Sequence, residues 1–486
     1  MPKAKKLYIL LGVLVVLSIA VFAVSHYEQK QEEIRTSDEI VLSIPTDTVT
    51  AVSWTNESGS FTFTLDENGT WIYEADTAFP ADTDKIEALL EPFSECGAAF
   101  VIENVEDLGM YGLDDPVCTI EITAGEETTT VTLGDYSRMD SERYASTGDG
   151  NVYLLSHDPL DEFDAVLSDV ILHDTVPDLD DATEIVFTGS ENCTVTKNED
   201  GKSICADDIY FSGSLPLDTD RVQSYLTALD SLSLTDYVTY NATDDELAAY
   251  GLADPALTVT VTYPVPDESE DADEDATVNE TVTVSFGQNA EELADAEESG
   301  DYDDVTCYAR VGDSGIVYEI SGTKYDTLLR GGEDNLRHAE IFTADFAEVT
   351  SMEITLDGET YTFAVKTGED GEEEDAKESK SSDSDDEDEV VWLWNDEEID
   401  ISSVESALEA VEASEFTTEK SGDTVELKIK LTLSNEDFPT LTLTFYRKGG
   451  ENCIAAVDGT VTAVVPRSNV VDLAEAIRTI TLGSEE

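Results

Sequence analysis

At 486 residues, 40% of them hydrophobic, the chain is long enough for two to four domains of ordinary size, each with its own core. Its 110 Asp and Glu against 25 Lys and Arg give a formal net charge of −85. This excludes nucleic acid as a partner, because phosphate binding needs cationic patches and none of any length occurs beyond the N-terminus, and it repels anionic membrane surfaces.

The first element in chain order is an uncharged run from Leu7 to Val24, preceded by Lys3, Lys5 and Lys6. As a helix it reaches about 27 Å, close to the roughly 30 Å hydrocarbon core of a bilayer. The lysines keep the amino end inside, which predicts a single-pass protein of the cell membrane whose remaining chain is extracellular. The run is longer than the roughly 7–15 residues of a signal-peptide core, so residues 1–30 read as a cytoplasmic stub and an uncleaved signal anchor. Ala23 and Ser25, spaced like a cleavage site, leave a cleaved signal peptide as the competing reading. No cysteine near Ser25 offers a site for a lipid.

Three copies of one module follow, at residues 46–176, 177–339 and 340–483. Each opens with a hairpin. In the first, Phe61, Phe63 and Leu65 alternate into the turn Asp66–Gly69, and Trp71 and Tyr73 return. Alternation with period two around a Gly-containing turn predicts antiparallel strands with one buried face. The second copy runs from Thr183 through Cys193 to Cys205. The third uses Thr350 to Ile354, then Tyr361, Phe363 and Val365, then Trp392 and Trp394.

An amphipathic helix comes next. Asp82 or Asp84 stands at its cap, and Ile86, Leu89, Leu90 and Phe93 follow with helical spacing. Asp218 or Asp220, then Val222, Tyr225, Leu226 and Leu229, repeat the pattern, and Val404, Ala407, Leu408 and Val411 form a weaker third copy.

The strongest repeat is Asp107 to Pro116 against Glu246 to Pro255. Leu108 and Tyr111, like Leu247 and Tyr250, are three apart and face one side of a helical turn. Gly112 and Gly251 supply the left-handed residue that ends it, and Leu113 and Leu252 follow. Pro116 and Pro255 forbid its continuation and push Asp115 and Asp254 into extended backbone. Helix stop, hydrophobic plug and strand entry account for every residue type in this structural motif. The third module lacks it. A second strand group then closes each copy, with related ends at Tyr144, Tyr308 and Ile454.

The acidic runs 267–276 and 369–389 fall where the first module has short turns. Full of like charge and poor in apolar residues, they read as disordered hairpin tips. Their oxygen-rich side chains suit calcium, but the spacing of a dedicated calcium loop is missing, so weak divalent cation binding is the expectation. Cys193 and Cys205 flank the turn Asn198–Gly201 and form the candidate disulfide; Cys96, Cys118, Cys307 and Cys453 read as buried free thiols.

The catalytic search yields no candidate residue. Four histidines share no motif spacing, and no nucleophile elbow, phosphate loop or zinc-protease motif occurs. Catalytic, cofactor-binding and metal-ligating residues are therefore all expected to be absent. Trp54, Trp71, Trp392 and Trp394 lie on alternating strands, where core packing accounts for them better than carbohydrate stacking.

The anchor, the Trp-containing hairpin, the Asp-Thr-Asp-capped helix and the Tyr-Gly-Leu-x-Asp-Pro element together resemble the family catalogued as domain of unknown function 4340, over most of residues 46–334. The resemblance implies bacterial, membrane-anchored proteins often encoded beside ABC-transporter permeases and gliding-type auxiliary components, and it carries over no catalytic residues. The expected fold class is α+β: a single N-terminal transmembrane helix followed by three repeated modules of antiparallel sheet plus helix. The expected function is a noncatalytic accessory or scaffold protein beside an ABC-type transporter, with a permease or auxiliary subunit as partner. A surface ligand-binding or adhesion protein and an enzyme acting on cell-wall polymer are the alternatives.

Overall fold

The computed structural model describes residues 39–483 except 140, 268, 270–272, 274–275, 301, 303, 367–389 and 420–423. The expected anchor and the acidic run 369–389 lie outside the described residues. Among the described residues no helix is long and apolar enough to cross a membrane.

The fold is α+β and mostly β, with three antiparallel sheets of nine strands each. Sheet one holds β1 (Glu39–Leu42), β2 (Val49–Asn56), β3 (Gly59–Leu65), β4 (Trp71–Tyr73), β5 (Cys96–Ile102), β6 (Cys118–Ala124), β7 (Glu127–Ser137), β8 (Glu142–Ser146) and β9 (Val152–Leu155). Sheet two holds β10 (Glu184–Gly189), β11 (Cys193–Lys197), β12 (Tyr210–Ser212), β13 (Leu215–Leu217), β14 (Tyr237–Thr239), β15 (Leu257–Pro266), β16 (Thr277–Gln288), β17 (Cys307–Val311) and β18 (Val317–Ile320). Sheet three holds β19 (Val349–Leu356), β20 (Glu359–Val365), β21 (Trp392–Trp394), β22 (Glu397–Ile399), β23 (Glu415–Phe416), β24 (Val425–Leu433), β25 (Thr440–Lys448), β26 (Asn452–Val457) and β27 (Thr460–Pro466).

Eight strands of each sheet share one order. In sheet one it is β4-β3-β2-β6-β7-β8-β9-β5, matched by β12-β11-β10-β15-β16-β17-β18-β14 and by β21-β20-β19-β24-β25-β26-β27-β23. The ninth strand differs: β1 adds to the β5 edge, whereas β13 and β22 extend the opposite edge. Sheet one therefore begins at Glu39, ahead of the expected start at 46, because Glu39 to Leu42 pair with β5.

In every copy one helix carries the chain between the two edges: α1 (Thr83–Leu90), α2 (Thr219–Asp230) and α3 (Ser402–Glu409). Its apolar stripe is buried, through Ile86, Leu89 and Leu90, then Val222, Tyr225, Leu226 and Leu229, then Val404 and Leu408. Each such side chain contributes about 1.5–3 kcal/mol by leaving water. Of the candidate caps, Asp82 and Asp218 do the capping: Asp82 accepts from the Lys85 N–H at 3.2 Å, and Asp218 from those of Asp220 and Arg221. The helix α4 (Arg467–Gly483) ends module three.

The chain divides into two compact units, Met1–Thr175 with Leu234–Thr243 and Ser314–Tyr318, and Val176–Ser233 with Asp244–Asp313 and Glu319–Glu486. The first unit thus gathers module one and a short outer edge belonging to module two. There Phe79 meets Tyr240 edge-on at 5.2 Å, and the Tyr240 hydroxyl donates to Asp76. In the second unit, Ile204 of module two packs on the core of module three, and the Arg337 guanidinium lies 4.0 Å from the ring centre of Phe416.

Candidate functional site

The repeated element folds as a plug. Leu108–Tyr111 forms a short 3-10 turn whose cap Asp107 accepts from the Gly109 N–H, and Gly112 ends it at φ 70°. Gly251 takes φ 68° in the second copy. Leu113 and Leu252 are buried, Tyr111 packs on Tyr144 at 5.0 Å, and Tyr250 on Tyr308 at 4.7 Å. Past Asp115-Pro116 and Asp254-Pro255 the chain enters β6 and β15.

Sequence reasoning missed the receptor for this plug. A Cβ on Gly134 would lie 2.1 Å from the Tyr111 carbonyl oxygen, and one on Gly287 2.5 Å from that of Tyr250. Both glycines sit inside strands, where a side chain would normally pack, and that placement was the available signal. The registers Cys118↔Leu133, Leu257↔Phe286 and Leu427↔Phe445 make Tyr446 the third-module equivalent of these glycines. Tyr144 and Tyr308 likewise become Ile454. The sequence of module three thus lacks both the Tyr-Gly-Leu-x-Asp-Pro element and the residues that meet it in the other two modules.

Among the described residues, two groups of ligand-type side chains share His338 in the second unit. His338 Nε2 lies 2.8 Å from Asp208 Oδ1, and Nδ1 lies 3.8 Å from Asp218 Oδ2. Asp208 is buried and also accepts from the Ser203 hydroxyl at 2.7 Å. Donor atoms of Cys205, Asp208 and His338 lie within 4.8 Å of one another, and so do those of Asp218, His338 and Glu340. Glu340 Oε2 is shielded from solvent and has no hydrogen-bond partner among the described residues. Burial pulls the His338 imidazole toward its neutral form, but the hydrogen bond to Asp208 and the charges of Asp208, Asp218 and Glu340 outweigh it, leaving the pKa above the ordinary value. A cavity of about 200 Å³ opens on Asp208, His338 and Glu340 between apolar walls that include Pro216, Ile341 and Phe416.

The hairpin that builds this group also corrects the expected disulfide. Lys197 pairs with Tyr210, so the strands close around the whole segment 198–209 and not around Asn198–Gly201 alone. Cys205 lies within that connection instead of opposite Cys193, and both thiols are free. Cys96, Cys118, Cys307 and Cys453 are buried free thiols, and burial pushes Cys96 up to about 11 and Cys118 to about 12. Trp54, Trp71 and Trp392 are core residues: Trp54 stacks on Phe63 at 5.5 Å and donates to the Ala165 carbonyl at 2.9 Å. Trp394 packs half-buried on the module-three core. At the two ends of the run 267–276, just beyond the pair Pro266↔Thr277, the Asp267 N–H donates to the Ala276 carbonyl at 2.8 Å. His157 meets Glu162 at 3.0 Å.

The family model described as Domain of unknown function (DUF4340) matches residues 71–210 and 208–430. The first match runs from the start of β4 to the start of β12, which are equivalent strands, and the second runs from there past β21 into β24. No curated protein and no solved structure matches the chain. The two family matches span well over half of the sequence, and the chain belongs to the DUF4340 family.

Proposed function

We propose that this chain is a noncatalytic, membrane-anchored extracellular scaffold that docks on an ABC-type transporter in the same membrane. The observation that carries the reading is the threefold use of one sheet order with one helix crossover. Repetition multiplies surface, whereas catalysis needs a single cleft. The apolar run Leu7–Val24 behind three lysines supports the anchor, and the ABC partner rests on the family resemblance.

The test is a crosslinking pull-down of the full-length protein from its native membrane, with partners identified by mass spectrometry. Recovery of a permease or an auxiliary subunit is the expected outcome. Recovery of cell-wall fragments alone would transfer the reading to a polymer-binding protein.

A further inference from the structure

We propose that His338 Nδ1, Asp218 and Glu340 bind a divalent transition ion of the zinc class, and that Asp208 positions the imidazole for it. The site is independent of the scaffold reading. Asp208 Oδ1, 2.8 Å from Nε2, is a buried carboxylate and draws the ring proton to that nitrogen. The lone pair is left on Nδ1, 3.8 Å from Asp218 Oδ2, and a carboxylate oxygen of Glu340 completes a group whose ligand atoms lie within 4.8 Å of one another. A carboxylate behind a histidine ligand is the usual means of fixing its tautomer and raising its basicity.

The distances suit an ion. Bond lengths near 2.0–2.1 Å place tetrahedral ligand atoms about 3.3 Å apart, so the 3.8 Å between Nδ1 and Asp218 Oδ2 needs to close by only about half an ångström. Asp218 divides its work between its oxygens. Oδ1 holds the N–H groups of Asp220 and Arg221 at the helix cap, while Oδ2, besides facing His338, accepts from the Arg221 side chain at 3.1 Å. That arginine is 41% exposed and can turn to solvent without disturbing the helix.

A second observation points to the same place from outside the histidine's own bonding. Glu340 Oε2 is walled off from water with no partner among the described residues. A shielded carboxylate oxygen left bare is costly, and a cation removes that cost. The imidazole selects the ion: calcium and magnesium take oxygen ligands, whereas a nitrogen with two carboxylates suits zinc and its neighbours.

Module one has the same backbone frame without the histidine ligand. Asp82 and Asp218 are equivalent caps whose own N–H groups donate to the carbonyls of Val170 and Leu336. Two residues further on, module one has Leu172 where module two has His338. Asp208 lies on the long β11–β12 connection, which replaces the tight Asp66–Gly69 turn of module one. Glu340 bridges by its backbone to Glu412, so the ion would tie the α2 cap to the first residues of module three.

The test is calorimetric titration of chelator-treated full-length protein with Zn²⁺, in millimolar Ca²⁺ to occupy the acidic surface. One Zn²⁺ per chain is expected, with affinity reduced at least about tenfold in His338→Gln and Glu340→Gln and unchanged in Cys205→Ser. Glu340→Gln preserves shape and keeps the test valid if His338→Gln unfolds, and circular dichroism verifies each fold. Zinc binding that survives Glu340→Gln, or that is abolished by Cys205→Ser, overturns the proposal.

Discussion

The segments that follow the α1 and α2 modules use one backbone hook for opposite electrostatic ends. Asp82 and Asp218 each donate their N–H to the chain that leaves the module, at Val170 and at Leu336. In the first unit this chain delivers His173 to aromatic rings, 6.2 Å from Tyr237 and 5.9 Å from Tyr318. The Asp174 N–H donates to the Tyr318 hydroxyl at 2.7 Å. In the second unit the same hook delivers His338 to Asp208 and leaves Glu340 Oε2 bare. Burial wins at His173, pulling its pKa below the ordinary value with help from the Lys85 charge; carboxylates win at His338. A hook set by main-chain hydrogen bonds constrains no side chain, so each copy is free to meet a different neighbour.

The largest expected effect separates the two ends. Asp208→Ala removes the buried member of its pair with half-buried His338 and should cost the second unit about 3 kcal/mol while leaving the first unit unchanged. Urea titration read by hydrogen exchange resolves the units, and an equal loss in both would mean that the two hooks are energetically coupled. Tyr318→Phe comes next. It strips the buried hydroxyl from the Asp174 N–H and should weaken the first unit by about 1–2 kcal/mol, with the His338 end unaffected in the same measurement.

How much of this was legible depends on the range of the interaction. The three modules, their helices and the plug were readable because period-two alternation, Asp caps and Tyr-Gly-Leu-x-Asp-Pro are local signals. Trp54 and Trp71 as core residues followed from the same alternation. Strand β1 was not readable, since Ile40 and its neighbours become a strand only by pairing with β5. Gly134 and Gly287 carried a weak signal as glycines inside strands. The His338 group carried none: Asp208, Asp218 and Glu340 are three acids among 110, and Asp208 and Asp218 stand more than a hundred residues from the histidine they face. The Cys193 to Cys205 pairing failed for a related reason, because an Asn-Glu-Asp-Gly turn was taken as the hairpin tip while the strand register closes at Lys197 and Tyr210.

The smallest expected effect is a pH dependence confined to the His173 end. Lys85, Asp174, Asp82 and Asp236 all bear on this imidazole, but burial dominates and holds its folded pKa below the ordinary 6.5. A group whose pKa falls on folding binds its proton more readily in the unfolded chain. Its contribution to stability is therefore full above about 6.5 and is lost as pH drops through the folded value. Nδ1 has no partner among the described residues to hold a proton, so charging the ring exposes an unmet donor to the faces of Tyr237 and Tyr318. His173→Leu should flatten the stability of the first unit between pH 7 and 5 without lowering it at pH 7, because an apolar side chain has no proton to gain. A slope that persists in His173→Leu would assign the acid sensitivity to the carboxylates around it, and the contrast between the two ends would then rest on the upward shift of His338 alone.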